Sequence, residues 1–332
     1  MSTSPTAVGE PRGEQKAIWR RFGIAPIYVV VILLFIAIGL LNPQFLEPAG
    51  FLNLFRRAAP LIVVTVGELF VIVGGGFDLS AGSVVSFTVI ASALWLNNDP
   101  NNTWWVLLVL LAFGALVGLV NGFVVTFLKV PSLIATLGML LLIRGFGLYI
   151  SGGAPRGYFP DNFRMFGRGF IEAVPFLDRV PYAVLILIGI GLIAGYLFHQ
   201  TVLGRDFLAI GDNPRASRLS GVRVARVRVL TFVVSAVCAV IGGVLLGGFG
   251  GVTIDAGLGL ELQAISACVL GGAALLGGKG SVPRAIAGAV ALEALFTLLN
   301  LLGLPKPLRD AVQGIIIIAA VAYAAIGTRT RK

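Results

Sequence analysis

Apolar blocks of about 20 residues, separated by short polar connections, recur along nearly the whole chain. A helix of about 20 apolar residues spans the hydrocarbon core of a bilayer, and it pairs its own backbone polar groups, as hydrocarbon requires. The pattern therefore predicts an all-α polytopic membrane protein with about ten transmembrane helices, some of them broken at glycine-rich turns. The predicted spans are 24–41, 58–76, 80–97, 104–126, 132–151, 180–199, 228–248, 260–277, 285–302 and 310–326.

Composition agrees with a membrane protein and argues against a soluble one. With 57% hydrophobic and 12% charged residues, the 332-residue chain could not hide its apolar surface in one soluble core. The formal net charge of +10 could suggest a nucleic-acid partner. The basic residues, however, lie in the connections between apolar blocks, which indicates positive-inside topology and contact with lipid headgroups. We expect the lipid bilayer, and no nucleic acid, as a partner.

The charge distribution also predicts the orientation. Four basic residues in the polar stretch before the first span place the N-terminus inside. We expect residues 1–23 to form a cytoplasmic tail, 24–326 the transmembrane domain and 327–332 a second cytoplasmic tail. The protein is then a multi-pass protein of the cell (inner) membrane, with its longest inner connection at 201–228 and its longest outer connection at 151–180.

The inner connection carries six arginines against two aspartates. At its centre, Asn213 is a favourable N-cap, Pro214 suits the first helical position, and Gly221 can close the last turn in the left-handed conformation. Only about two turns lie between these signals, too few to be stable alone in water. The segment is either a solvated positive-inside loop or, as the cap signals favour, a short helix presented to a partner.

The outer connection contains three prolines and aromatic residues at intervals. We expect an apolar loop of this length to pack onto the protein as a short interfacial helix or a lid. It could also receive an external partner, and the two roles are compatible.

Two glycine-rich turns resemble each other. Gly75–Val84 recurs loosely, with two inserted residues, as Gly271–Val282, and each copy joins two predicted spans on the same side. Duplicated halves of this kind are common in transporters. We assign a structural role in these turns to Gly75, Gly76, Asp78, Ser80, Gly82, Gly271, Gly272 and Gly278.

Four carboxylates fall in or beside predicted spans. Glu68, Glu261 and Glu293 lie within spans, whereas Asp78 lies between the second and the third. A charge in hydrocarbon is costly, so each carboxylate should face the interior, water or a partner group. For Asp78 the neighbouring glycines and Ser80 favour a structural role, in which the carboxylate pairs the free backbone groups of an interrupted helix. Glu68 and Glu261 could equally line a polar pathway.

The sequence contains no evident energy source. Ala273–Gly280 is similar to a phosphate-binding loop but has Ala at the first required Gly, and Gly where Ser or Thr should bind magnesium. The one histidine, His199, cannot build a His-based metal site or catalytic triad. We expect no catalytic residues, no metal site and no directly bound cofactor. An external ATPase or an ion gradient must then drive any transport.

Four stretches together carry a resemblance to a known family: Gly74–Ser83, Asn121–Gly138 followed by Arg144-Gly145, Gly204–Val222 and Gly257–Gly280. With these stretches, in this order, the chain resembles the membrane-spanning permease subunits of ATP-binding-cassette sugar importers, of the ribose, xylose and galactose class. The resemblance runs from about residue 27 to residue 328.

The resemblance implies a permease that moves a monosaccharide or similar small polar solute by alternating access. It also implies a second permease copy (a homodimer or a paired permease), a cytoplasmic ATPase that binds ATP and Mg, and an external solute-binding protein. The segment Asn213–Gly221 is similar to the family's coupling helix, which seats in the ATPase. The ATPase-coupling candidates are Arg205, Asn213, Pro214, Arg215, Ala216, Leu219, Ser220 and Gly221.

For the substrate pathway, the candidates are Glu68, Asn121, Thr136 and Glu261. An ion-coupled secondary carrier that uses Glu68 or Glu261, and works without an ATPase, is the alternative interpretation.

Overall fold

The computed structural model describes residues 25–174, 178–305, 307–309, 311–312, 314–316 and 318. The two predicted tails, 1–23 and 327–332, and the end of the tenth predicted span, 319–326, lie outside the described residues. The described residues between 307 and 318 are helical.

Up to residue 301 the described chain forms twelve α-helices and one β-hairpin. The helices are α1 Pro26–Leu41, α2 Pro48–Val73, α3 Ala81–Leu96, α4 Thr103–Thr126, α5 Ser132–Ser151, α6 Asp161–Arg168, α7 Tyr182–Gln200, α8 Val202–Asp212, α9 Pro214–Leu219, α10 Val224–Gly250, α11 Leu260–Leu270 and α12 Val282–Leu301. The strands are β1 Phe170–Val174 and β2 Asp178–Pro181, and they pair antiparallel.

Five of the described helical segments are long and apolar enough to cross a membrane: Pro100–Thr126, which contains α4, and the helices α5, α7, α10 and α12. Three shorter apolar helices, α1, α3 and α11, accompany them. The predicted all-α multi-pass membrane fold is confirmed, with ten as an approximate number of helices.

The helix α2 lies at the centre of the described bundle. Every residue from Ala58 to Val73 is buried, and α2 packs against α7, α10, α11 and α12. Glycines bring the backbones close together: a Cβ at Gly67 of α2 would meet the Cβ of Cys238 at 2.7 Å. Small residues at helix contacts are what close packing in a membrane requires.

Two predicted boundaries are wrong. The second predicted span begins ten residues too late, because α2 starts at Pro48 and includes two arginines assigned to an outer loop. The eighth predicted span is too long, because α11 ends at Leu270, directly before two glycines. The helix α8 was not predicted. Its start is capped by Thr201, whose Oγ1 accepts a hydrogen bond from the Gly204 N–H (3.3 Å).

The outer connection folds onto the bundle. A short helix, α6, is present as predicted, whereas the β-hairpin was not predicted. Gly167 of α6 packs against the backbone at the end of α10, where a Cβ would overlap the Phe249 N. The Arg56 guanidinium of α2 lies over the ring of Phe170 in β1 (4.9 Å). We call this the hairpin end of the bundle, and the end that carries α8 and α9 the basic end.

Candidate functional site

The first glycine turn, Gly74–Ser80, joins α2 to α3. The Gly75 N–H donates to the Ile72 carbonyl (2.9 Å) and the Gly76 N–H to the Val71 carbonyl (2.9 Å), with Gly75 at φ +81°. These bonds pair carbonyl groups at the end of α2 around a left-handed residue, a conformation that glycine adopts without steric cost.

Asp78 organises the start of α3. Its Oδ1 accepts hydrogen bonds from the Ser80 N–H (3.0 Å) and from the Ser80 Oγ (2.5 Å). From α4, the Nδ2 of Asn121 donates to the Ser80 Oγ (2.9 Å). All three side chains are buried. A buried polar group costs free energy unless it is paired, and this chain of hydrogen bonds supplies partners.

Two further side chains hold the same turn from other helices. Glu68 of α2 accepts the Asp78 N–H on Oε1 (3.1 Å), and Thr136 of α5 accepts the Leu79 N–H on Oγ1 (3.0 Å). Side chains from two helices, α2 and α5, therefore provide acceptors for backbone donors that are outside any helix. We call the buried set the Asp78 cluster: Glu68, Asp78, Ser80, Asn121 and Thr136.

Glu261 lies outside the Asp78 cluster. It belongs to the first turn of α11 and packs against the first turn of α3, where a Cβ at Gly82 would overlap the Glu261 Oε2. It lines a cavity of about 80 Å³ together with Arg144 and Asp255, whose side chains are 3.4 Å apart. Three of the four predicted pathway residues thus come together, and the fourth faces a separate cavity.

Sequence reasoning did not pair Arg144 with Asp255, although an arginine inside a predicted span was a signal. It also missed the pairing of Glu293 on α12 with Arg57 on α2, at 3.7 Å. Both residues line a cavity of about 540 Å³ at the hairpin end, with Asn53 among the other lining residues. Arg57 was assigned to a loop, so no partner for Glu293 was evident.

The short helix α9 forms as predicted. The Asn213 Oδ1 accepts hydrogen bonds from the N–H groups of Arg215 and Ala216 (3.0 Å each), and Gly221 closes the segment at φ +87°. The predicted helix and its N-cap are confirmed. Leu219 is 91% exposed at the basic end of the bundle. All the other coupling candidates are exposed too: Arg205, Asn213, Pro214, Arg215, Ala216, Ser220 and Gly221.

Gly211, in the last turn of α8, touches both glycine turns. A Cβ at Gly211 would overlap the Val73 carbonyl oxygen and the Gly278 N, two atoms that are hydrogen-bonded to each other (2.9 Å). A Cβ at Gly277 would meet the Gly211 Cα at 2.9 Å and the Gly75 Cα at 3.0 Å. Because backbone atoms surround this point, no side chain fits there. The helix that precedes α9 is thus seated on both turns.

The second glycine turn, Gly271–Ser281, joins α11 to α12. The Gly272 N–H donates to the Val269 carbonyl (2.8 Å) and the Ala273 N–H to the Cys268 carbonyl (2.9 Å), with Gly272 at φ +85°. The geometry repeats that of the first turn.

This geometry corrects the register predicted between the two turns. Gly272 corresponds to Gly75 and not to Gly76, because Gly272 and Gly75 are the left-handed residues that follow the ends of α11 and α2. The serines before the following helices then correspond, Ser80 to Ser281. The predicted insertion of two residues is therefore wrong, since the second turn is four residues longer than the first between these points.

Within the described chain, no group of three or more His, Cys, Asp or Glu side chains is arranged to hold a metal ion. Cys238 and Cys268 are free and buried, and His199 lies in the last turn of α7. The polar side chains described above bind backbone groups and one another.

The sequence is similar to a known family of membrane proteins. Residues 50–321 match the family described as "Branched-chain amino acid transport system / permease component". The chain belongs to this permease family. The galactose/methyl galactoside import permease protein MglC of Haemophilus influenzae is 32% identical to it over 321 residues, covering 92% of this chain and 95% of the relative.

Two further relatives cover most of this permease. The ribose import permease protein RbsC of Bacillus subtilis is 35% identical over 301 residues, covering 89% of this chain and 90% of the relative. The autoinducer 2 import system permease protein LsrC of Enterobacter sp. is 35% identical over 295 residues, covering 89% and 84%. No solved structure matches the chain. The predicted membership among permease subunits of importers is confirmed.

Proposed function

We propose that this permease is the membrane-spanning part of an ATP-binding-cassette importer and carries a monosaccharide or a similar small polar solute by alternating access. Its relatives are named for the import of galactose, ribose and autoinducer 2, which supports a small polar solute. ATP and Mg bind to a separate ATPase, and an external binding protein delivers the solute. A second copy of the chain completes the path.

The proposed orientation follows the charges. The segment from α8 to the start of α10 holds six arginines, so the basic end faces the cytoplasm and receives the ATPase. The hairpin end then faces outward, where the folded outer connection is available to the binding protein. The membrane is the cell (inner) membrane, and both termini are cytoplasmic.

One observation carries the proposal: α9 is exposed, and the segment next to it is in direct backbone contact with both glycine turns. Leu219 presents an apolar side chain to a partner, while Gly211 lies against Gly75 and Gly277. A displacement of α9 by an ATPase would reach both turns without an intervening side chain. Interfaces of packed elements transmit such shifts as rigid-body movements.

The Asp78 cluster has a supporting role in this proposal. Glu68, Asn121 and Thr136 form hydrogen bonds with residues of the first turn. These bonds fix the junction of α2 and α3. Among the predicted pathway residues, Glu261 lines a cavity together with Arg144 and Asp255. We therefore expect solute contacts near Glu261, and direct contacts of the other three remain a prediction from sequence.

The experiment is co-purification of the chain from its native membranes, with mass spectrometry of the accompanying proteins and uptake measurements in the same cells. Leu219→Asp should remove an ATP-binding subunit from the purified material and abolish uptake. Leu302→Asp is the matched control, because Leu302 is 55% exposed but follows α12 at the hairpin end. If the Leu219→Asp variant still co-purifies with the ATPase, the proposal that α9 docks the ATPase is wrong.

The ion-coupled carrier is the second candidate, and the proximity of two buried carboxylates, Glu68 and Asp78, is the observation that favours it. Such a carrier would move solute in liposomes that contain this chain alone, and an uncoupler would stop it. Uptake that requires the ATPase subunit, and is indifferent to the uncoupler, would eliminate this candidate.

A further inference from the structure

A cavity of about 430 Å³ opens at the basic end, between the connection from α4 to α5, the first glycine turn and the start of α10. Three cationic side chains line it, Lys129, Arg218 and Arg228, and no acidic residue is among the lining residues. The volume falls within the range of roughly 300–1,000 Å³ that is typical of small-ligand sites. None of the transport roles proposed above uses this cavity.

Among the residues that the structure describes, no acidic side chain pairs with the cations around this cavity. In the part of the chain that the structure describes, the ion pairs are Arg57 with Glu293 and Arg144 with Asp255, so none of the three lining cations is paired. The charges of Arg218 and Arg228 repel each other. Like charges held around one concave surface are unfavourable unless an anion joins them.

One further observation points to a ligand. Lys129 has φ +57°, a left-handed conformation that residues other than glycine rarely adopt. Strained backbone of this kind is concentrated at ligand sites and switches.

We propose that this cavity binds a phosphate group, carried either by an anionic phospholipid headgroup or by a small soluble phosphate ester. A phosphate offers three strong acceptor oxygens, which match the planar donor groups of two arginines and the ammonium group of a lysine. Basic pockets between transmembrane helices on the cytoplasmic side are suited to lipid headgroups. The alternative, a merely solvated basic surface, leaves the concave arrangement of three unpaired cations without a reason.

The bound phosphate would bridge Arg218 of α9 and Arg228 of α10. It would therefore fix the position of the segment that we propose to dock the ATPase, and its occupancy would adjust coupling. This effect on coupling rests on the proposed docking of the ATPase, whereas phosphate binding itself takes from the proposed function only the orientation of the basic end.

The test uses the full chain in nanodiscs and measures its thermal unfolding midpoint. Three conditions are compared: phosphatidylcholine alone, phosphatidylcholine with phosphatidylglycerol, and phosphatidylcholine with dissolved glycerol 3-phosphate. Arg228→Gln is the test variant. Arg226→Gln is its matched control, because Arg226 is exposed on the same turn of α10 and does not line the cavity.

Stabilisation by phosphatidylglycerol that is lost in Arg228→Gln but kept in Arg226→Gln assigns the phosphate to a lipid. Stabilisation by glycerol 3-phosphate with the same variant pattern, and a dissociation constant weakened about tenfold in Arg228→Gln, assigns it to a soluble ester. No stabilisation under either condition, or an equal loss in both variants, overturns the proposal. Should Arg228→Gln fail to fold, Lys129→Gln takes its place with the same expectations. Because no readout measures uptake, these outcomes are independent of the transport proposal.

Discussion

The two glycine turns end their helices in the same way but are held in place differently. In the first, a left-handed Gly75 is followed by a short segment whose backbone donors bind side chains of the Asp78 cluster. In the second, a left-handed Gly272 is followed by a longer segment without any acidic residue, and Leu276 within it is 81% exposed. A backbone hydrogen bond from the Gly278 N–H to the Val73 carbonyl (2.9 Å) ties it to the end of α2, directly before the first turn.

This difference separates two requirements that a broken membrane helix must meet. A left-handed glycine satisfies the carbonyl end of the first helix, whatever surrounds it. The donors beyond it need either polar side chains, when the turn is buried, or access to solvent, when it is not. In the first turn polar side chains pair the buried donors, whereas in the second turn the donors have access to solvent. Substitutions should therefore change the stability of the protein by different amounts in the two turns.

The largest effect is expected for Asp78→Ala. The change leaves the N–H and the hydroxyl of Ser80 without their buried acceptor, and each unpaired group costs about 1–3 kcal/mol. The unfolding free energy in detergent micelles should fall accordingly. Leu275→Ala, in the open second turn, is the control and should cost less. Equal losses from the two variants would show that the turns are held alike.

Gly211→Ala should come next, because it introduces a methyl group where the backbones of both turns meet. Overpacking of this kind typically costs about 1–3 kcal/mol, and uptake should fall further than expression does. Gly195→Ala is the matched control: Gly195 also lies within a helix, α7, and a Cβ there meets nothing within 4 Å. Normal uptake by Gly211→Ala would show that the contact of Gly211 with the two turns does not transmit movement from α9.

A pair of identical changes tests the serines that precede the next helices. Ser80→Ala removes a donor to Asp78 and an acceptor for Asn121, which should cost about 1–3 kcal/mol, at the lower end because the Ser80 N–H bond survives. Ser281 makes no side-chain capping bond, so Ser281→Ala should be nearly neutral. Thermal unfolding of both variants in one detergent measures the contrast, and a comparable loss in Ser281→Ala would contradict it.

The smallest difference is expected where the turns agree. Gly75→Ala and Gly272→Ala both place a Cβ on a left-handed residue, at a cost of about 1 kcal/mol each. Neither Cβ would meet an atom closer than 3.9 Å, so sterics should not separate the two variants. Unfolding midpoints that differ clearly would mean that the surroundings, and not the shared conformation, set the requirement for glycine.

Local signals predicted much of this fold because they act over short distances. Apolar length located the bundle, and the Asn213–Pro214 cap with Gly221 located α9, because capping is a property of adjacent residues. The β-hairpin was missed because two short strands pair only when α2 and the end of α10 provide a surface. The start of α2 was missed because its arginines resemble a loop, while in the fold Arg56 lies over Phe170 and Phe249.

The candidate site was predictable in its members but not in its arrangement. Intramembrane polar residues are rare, so Glu68, Asn121 and Thr136 were evident from their positions in apolar segments. Which of them meet depends on how α2, α4 and α5 pack. That Thr136 faces the first turn while Glu261 faces Arg144 is a long-range property that no single segment encodes.

The close approach of Gly82 to Glu261 has a consequence for the electrostatics of the interior. Both α3 and α11 begin at this point, and the aligned peptide dipoles of a helix place about half a positive elementary charge at its N-terminus. Two such ends converge on one carboxylate. Partial charges of the backbone therefore act on this buried carboxylate together with Arg144, which lines the same cavity.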